Sequence, residues 1–235
     1  MFNPPNYSQS SNFLNPRLGP WTFVLYLHRK KILNSLQKSL PHLKGSVLDV
    51  GCGNKPYQSL IDCNAYIGVD VASSPHLNAN FDKIFDGLHL PFDSESFDNI
   101  ICTEVIEHCI DPNLLFGEMS RVLKKGGFAF ITAPMFLVHH EAPYDFRRLT
   151  YYGMRQLAEE SGFSVKTLDD RGNIFCVLIT SIYFTIGELI SRRPFSDFVM
   201  WLIFPVTYFL YKMDGFRKKE PPVLSLGWQM LIVKN

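Results

Sequence analysis

Short apolar runs alternate with helix-patterned stretches along most of the chain, and the alternation breaks once, near the carboxyl end. Ser46-Val47-Leu48-Asp49-Val50 reads as a parallel strand buried on both faces, which needs no polar alternation. Further strands are predicted at 65–69 (ending in Asp70), 83–85 (ending in Asp86), 97–102, 128–132, 163–168 and 228–233. Between them, Trp21, Val24, Leu25, His28, Ile32, Leu36 and Leu40 recur at helical spacing, with Arg29, Lys30, Lys31 and Lys38 mostly opposite, and this helix stops at Pro41. A short helix is expected near 57–62. Leu114, Leu115, Met119, Val122 and Leu123 mark a crossover helix that Lys124-Lys125-Gly126-Gly127 stops, and 151–162 is a helix closed by Gly162. Strands alternating with helices imply a parallel sheet with right-handed crossovers.

Residues 172–187 and 198–211 carry no charge and are separated by Glu188 and Arg192-Arg193-Pro194. Neither reaches the ~20 apolar residues that span a bilayer. The chain thus divides into an arm and amphipathic helix (1–44), a core (45–170), a hydrophobic helical insertion (171–222) and a final core strand (223–235). Arg171, Arg192, Arg193, Lys212, Arg217, Lys218 and Lys219 flank the insertion. Cations around two apolar segments suit a monotopic hairpin at a membrane interface. The same pattern fits helices covering the substrate crevice, or an oligomer interface.

With 235 residues, 46% of them hydrophobic, the chain holds one α/β domain and an insertion. A net charge of +1 gives no nucleic-acid footprint. Cys52, Cys63, Cys102, Cys109 and Cys176 form no C-x-x-C pair, as expected of reduced thiols in a cytoplasmic protein. Residues 1–20 are polar and contain proline, so no secretory signal is expected.

Gly51 and Gly53, flanking Cys52 just past the first strand, allow a tight turn and close backbone approach to a ligand. A dinucleotide fingerprint needs a third glycine, and Asn54-Lys55-Pro56-Tyr57 follows instead. Asp49 before the turn would repel a pyrophosphate and attract a cationic sulfonium and ammonium. Asp70 stands at the interval where such folds place an acid on a ribose diol. Val47-Leu48-Asp49-Val50-Gly51-Cys52-Gly53, Asp70, the run Phe97 to His108, Asp111-Pro112 and Arg121-Val122-Leu123-Lys124-Lys125-Gly126-Gly127 together resemble the class I S-adenosylmethionine-dependent methyltransferases. They are most similar to the type 11-like subgroup with quinone-biosynthesis and cell-envelope members.

The resemblance covers roughly 45–168 and the last strand. It implies a Rossmann-like, doubly wound seven-stranded α/β sheet with an antiparallel last strand and S-adenosyl-L-methionine as cofactor. By it, Asp49, Gly51, Cys52 and Gly53 surround the methionine part, and Asp70 holds the ribose with Val71 beside the adenine. Asp86, Gly87 and Leu88 meet the adenine, and Cys102, Thr103 and Glu104 wall the sulfonium. Cys52 is a small filler, not a nucleophile, and Asp98 orients the fourth strand.

Methyl transfer to an oxygen needs alignment and a proton acceptor. Glu107-His108, at the mouth of the fourth strand, could supply one. The loop 135–148, after the fifth strand, could supply another: His139 or His140 as base, with Tyr144, Asp145 and Arg147 shaping the site or meeting an anionic substrate. Alternatively, an Asp145–Arg147 ion pair only holds that loop. No metal is expected, because the adjacent residues His139, His140 and Glu141 point to opposite sides of an extended chain. The expected function is methylation of an oxygen on a small, lipid-linked or saccharide-type acceptor near a membrane. The alternatives are a quinone or isoprenoid-phenol methyltransferase, and a membrane-docked binder of the cofactor without catalysis.

Overall fold

A computed structural model describes residues 11–74, 81–190, 193–213 and 224–235. In chain order it runs α1 (Ser11–Leu14), α2 (Phe23–Ser39), β1 (Ser46–Val50), β2 (Ala65–Val71), β3 (Lys83–Phe85), β4 (Phe97–Thr103), α3 (Pro112–Val122), β5 (Leu123–Pro134), α4 (Tyr151–Glu160), β6 (Phe163–Asp170), α5 (Ile174–Leu189), α6 (Arg193–Lys212) and β7 (Gly227–Lys234). The start of the expected arm, and Arg192, Arg217, Lys218 and Lys219, lie outside the described residues.

The strands form one sheet in the order β3-β2-β1-β4-β5-β7-β6. β1 pairs parallel with β2 and β4, while β7 runs antiparallel between β5 and β6. Successive β1 side chains enter opposite layers. Val47 packs with Ile101, Phe130 and the α2 residues Ile32 and Leu36. Leu48 and Val50 pack with Ile100, Phe116, Met119 and Met154 on the other face. Each such side chain, fully buried, contributes about 1.5–3 kcal/mol. The apolar run of β1 therefore reflects helices on both faces.

Lys124 to Gly127 do not form the expected helix stop; they lie inside β5. Leu123 is already extended and pairs with Phe97, and a register irregularity follows before Asn99 meets Phe128. Asp98 ties this end of the sheet together. Its Oδ2 accepts from the Ser46 amide and hydroxyl at 2.8 and 2.7 Å, and its Oδ1 accepts from Lys124 at 2.7 Å.

α2 also differs from its predicted face. Phe23 and Leu27 are fully buried, and Arg29 lies under cover with its guanidinium 4.2 Å from the Phe13 ring. The helix has two packed sides. Ile32 and Leu36 meet the sheet, whereas Phe23 and Leu27 meet α5 and α6. Around Phe23 stand Tyr26, Tyr183, Phe204, Tyr208 and Tyr211, with ring centroids 5.3–6.4 Å away. The inner face of the insertion is thus spent on α2. No described helix is long and apolar enough to cross a membrane.

Candidate functional site

β1, β2, β4 and β5 are parallel neighbours, so their carboxyl ends lie along one edge of the sheet, where such folds bind ligands. Gly51 turns there with φ +67°, and a Cβ on it would lie 2.3 Å from the Val105 side chain. The turn is held by the neighbouring strand: Gly51 and Cys52 amides donate to Val69 O, and the Gly53 amide donates to Asp70 Oδ2 at 2.8 Å. Asp70 Oδ1 accepts from the Val71 amide at 2.8 Å. The acid expected on a ribose is therefore a buried carboxylate clasping the glycine turn, with its own position fixed.

Asp49 lies beneath the turn, buried, accepting from the Tyr66 hydroxyl at 2.6 Å. Burial pushes its carboxyl up to about 7, with the Tyr66 hydrogen bond acting in the opposite direction. Cys52 is buried and its thiol is pushed well up, first by burial and then by the Asp49 and Asp70 charges. That suits a filler. Asp86 is exposed and turns onto its own loop, accepting from the Leu88 and His89 amides at 2.8 and 2.6 Å. Hydrogen bonds from the His89 and Leu88 amides and the His89 ring hold it down at about 2. Asp86 thereby shapes the Gly87-Leu88 loop. Cys102 is fully buried in the core, while Thr103 and Glu104 reach the strand end.

Glu104, at φ +55°, accepts from Thr132 Oγ1 at 2.7 Å and from Arg171 Nη2 at 3.1 Å, and Arg171 Nη1 lies 2.8 Å from Oε1 in the same ion pair. Arg171 is 1% exposed, so it is not the interfacial flank of the insertion that its sequence neighbours suggested. It passes Gly227, where a Cβ would lie 2.2 Å from its Nη2. His28 of α2 is also buried, and among the described residues its Nε2 has no hydrogen-bond partner. Burial, then the Arg171 charge, lowers it to about 4, with Glu104 working in the opposite direction. Sequence pattern had counted His28 only as part of an apolar face, and nothing local marked Arg171.

On the acceptor side, Glu107 and His108 sit in a 3-10 turn, Ile106–His108, after β4. The loop after β5 closes onto that turn. The Phe146 amide donates to Glu107 O at 2.9 Å, His108 Nδ1 meets Tyr144 O at 2.8 Å, and Arg147 donates to Ile110 O at 2.9 Å. The Asp145 ion pair forms with Arg148, not Arg147. Burial disfavours an ionised Asp145, yet hydrogen bonds from Arg148 and the His140 amide hold its carboxyl well below the usual range. The Tyr144 side chain is exposed.

The two histidines separate by alternation: the His139 side chain is 94% exposed, and His140 is 27% exposed and turned inward. His140 Nε2 lies 3.9 Å from Glu107 Oε1, and His108 Nε2 lies 3.7 Å from the same oxygen. Glu107 itself is 1% exposed. Burial, then the Glu104 charge, pushes its carboxyl well up.

Residues 48–131 match the family described as methyltransferase domain. The chain is 33% identical over 103 residues to the ubiquinone biosynthesis O-methyltransferase of Glaesserella parasuis, covering 37% of this chain and 44% of that protein. It is 38% identical over 104 residues to the tRNA (carboxymethyluridine(34)-5-O)-methyltransferase of Arabidopsis thaliana, covering 40% of this chain and 25% of that protein. The chain thus spans about a quarter to a half of the curated relatives it matches. In fold it is similar to an S-adenosylmethionine-dependent methyltransferase from Mesorhizobium loti, with TM-score 0.55 and 14% identity over 87% of this chain and 98% of the other. The matched segment carries the glycine turn, Asp70 and Glu107-His108, and the sheet has the expected seven strands with the last one antiparallel. The core of this chain thus resembles the class I S-adenosylmethionine-dependent methyltransferase domain, with the family match confined to residues 48–131.

Proposed function

We propose that the protein transfers the methyl group of S-adenosylmethionine to an oxygen of a small acceptor. The observation that carries this reading is the Glu107–His108–His140 cluster beside the glycine turn, since a proton-accepting group is what an oxygen acceptor needs. Both curated relatives quoted above are named as O-methyltransferases. Asp70 and the Gly51–Gly53 turn hold the cofactor's ribose and methionine parts, and Glu104 stands at the sulfonium. An acceptor hydroxyl attacks the methyl carbon. The O–C bond forms as the C–S bond breaks, its electron pair stays on sulfur, and the hydroxyl proton passes to the cluster. The enzyme's main contribution is alignment of oxygen, methyl and sulfur.

A lipid-linked or otherwise membrane-proximal acceptor is favoured by α6. Phe195, Phe198, Trp201, Leu202, Val206 and Phe209 are all exposed and recur at helical spacing along one side, with no charged residue from 198 to 211. Such a stripe on a helix that is not long and apolar enough to cross a membrane suits the interface of a cytoplasmic membrane face. The experiment is calorimetry with S-adenosylmethionine, S-adenosylhomocysteine and NAD, followed by transfer of labelled methyl to lipid and aqueous extracts. Binding of both sulfur compounds and label on an oxygen of an extracted small molecule support the reading. Preference for NAD overturns it.

A further inference from the structure

We propose that Glu107, His108 and His140 form a site for one divalent transition-metal cation. Their donor atoms lie within 4.8 Å of one another, with both imidazole Nε2 atoms facing the same carboxylate oxygen at 3.7 and 3.9 Å. Around a cation with ligand bonds of about 2.0–2.2 Å, such donors stand roughly 3–3.5 Å apart, so closure takes a contraction of no more than about 1–2 Å at the widest pair.

The outer nitrogens point to the same conclusion. His108 Nδ1 meets Tyr144 O at 2.8 Å, and His140 Nδ1 meets Val138 O at 3.2 Å. A carbonyl only accepts, so in each neutral ring Nδ1 carries the hydrogen and Nε2 turns a lone pair inward. Backbone carbonyls fix metal-binding histidines in this way. Three lone-pair donors then face one another.

The local charges leave Glu107 unmatched. Arg171 is bound to Glu104 and Arg148 to Asp145. Among the described residues neither Glu107 oxygen has a hydrogen-bond partner, although the side chain is almost fully buried. A buried carboxylate without hydrogen bonds is costly, and a cation between it and two imidazoles removes that cost. Glu141 Oε2, 3.7 Å from His108 Nε2, adds negative charge at the rim.

Adjacency had argued against a metal at His139, His140 and Glu141. The set proposed here takes only His140 from that loop and draws the other two donors from the turn after β4. Two imidazoles and one carboxylate suit Zn²⁺, Mn²⁺ or Fe²⁺ better than Mg²⁺, and they leave coordination positions open. That an acceptor oxygen would take one of those positions rests on the methyl-transfer reading; the cation site itself does not.

The test is calorimetric titration of the full chain with Zn²⁺, Mn²⁺ and Mg²⁺, with S-adenosylmethionine titrated in parallel. We expect about one Zn²⁺ or Mn²⁺ per chain, with affinity lowered roughly 10–100-fold or more in both Glu107→Gln and His140→Ala. His139→Ala should keep the parent affinity. No cation binding, binding unchanged in both ligand variants, or equal loss in His139→Ala overturns the site. Cation binding without cofactor binding sinks the methyl-transfer reading and leaves this site standing; cofactor binding without cation binding does the reverse.

Discussion

Arg171 and Glu104, 67 residues apart in sequence, form an ion pair at 2.8 Å that joins the start of the hydrophobic insertion to the end of β4. Arg171→Ala leaves Glu104 without its partner in a largely covered position. It should lower stability by about 3 kcal/mol or more, read as a fall of roughly 6–12 °C in melting temperature. Gly227→Ala should cost about 1–3 kcal/mol, because its Cβ would meet the Arg171 guanidinium and Ala133 O. Thermal melts of both variants check this. Parent-like melting of Arg171→Ala would count against the pair as a structural link.

Asp70→Ala removes the acceptors for the Gly53 and Val71 amides. Unsatisfied buried amides cost about 1–3 kcal/mol, and the glycine turn loses its fixed position. S-adenosylmethionine affinity should fall tenfold or more on the order of that energy. Calorimetry showing unchanged affinity would refute the clasp.

His140→Ala should lower turnover by about 10²-fold or more, whereas His139→Ala should stay within about twofold. The measurement is S-adenosylhomocysteine release at saturating cofactor. Equal losses in the two variants would contradict the inward and outward placement of these rings.

Asp49 supplies a pH dependence. Its carboxyl is raised by burial to about 7, against an ordinary value near ~4. Between those values the unfolded chain releases a proton that the folded chain keeps, so this group's stabilising contribution, full at low pH, declines up to about 7 and then levels. Asp49→Asn lacks that titration. Its melting temperature relative to the parent, in cofactor-free protein, should rise from pH 4 to 7 and then flatten. A constant difference across the window would show that Asp49 is ionised throughout.

The α6 stripe gives a surface test. Serine at Phe198 and Trp201, both exposed, should reduce flotation with anionic vesicles and leave S-adenosylmethionine affinity unchanged. Parent protein that stays off vesicles would end the membrane reading.

The strands were legible because β1 to β7 write their burial into local apolar runs, and the glycine turn carries its own backbone signature. Lys124 to Gly127 misled because cations and glycines suit a helix stop and, equally, a strand entry with a register irregularity. The half of the site that depends on distant partners was not legible. Arg171 looked like one more cation beside an apolar segment; only β7, through Gly227, makes room for it under the sheet edge. His28 looked like part of a helix face until α5 and α6 gave α2 a second packed side. In the loop after β5, residue alternation allowed either histidine, and contact with Glu107 is what distinguishes His140.

The placement of β7 has a consequence for assembly. Among the described residues β6 hydrogen-bonds to no strand except β7, and β7 follows α5 and α6 in sequence. The edge of the sheet therefore closes only after a strand from beyond the insertion slots between two strands made before it. Long-range pairing of this kind is slow. The hairpin of α5 and α6 packs onto α2 and brings the ends of that long connection back to the sheet. Folding of the cofactor domain and docking of its greasy appendage are in this way one cooperative event, and damage to the appendage should register as a loose sheet edge.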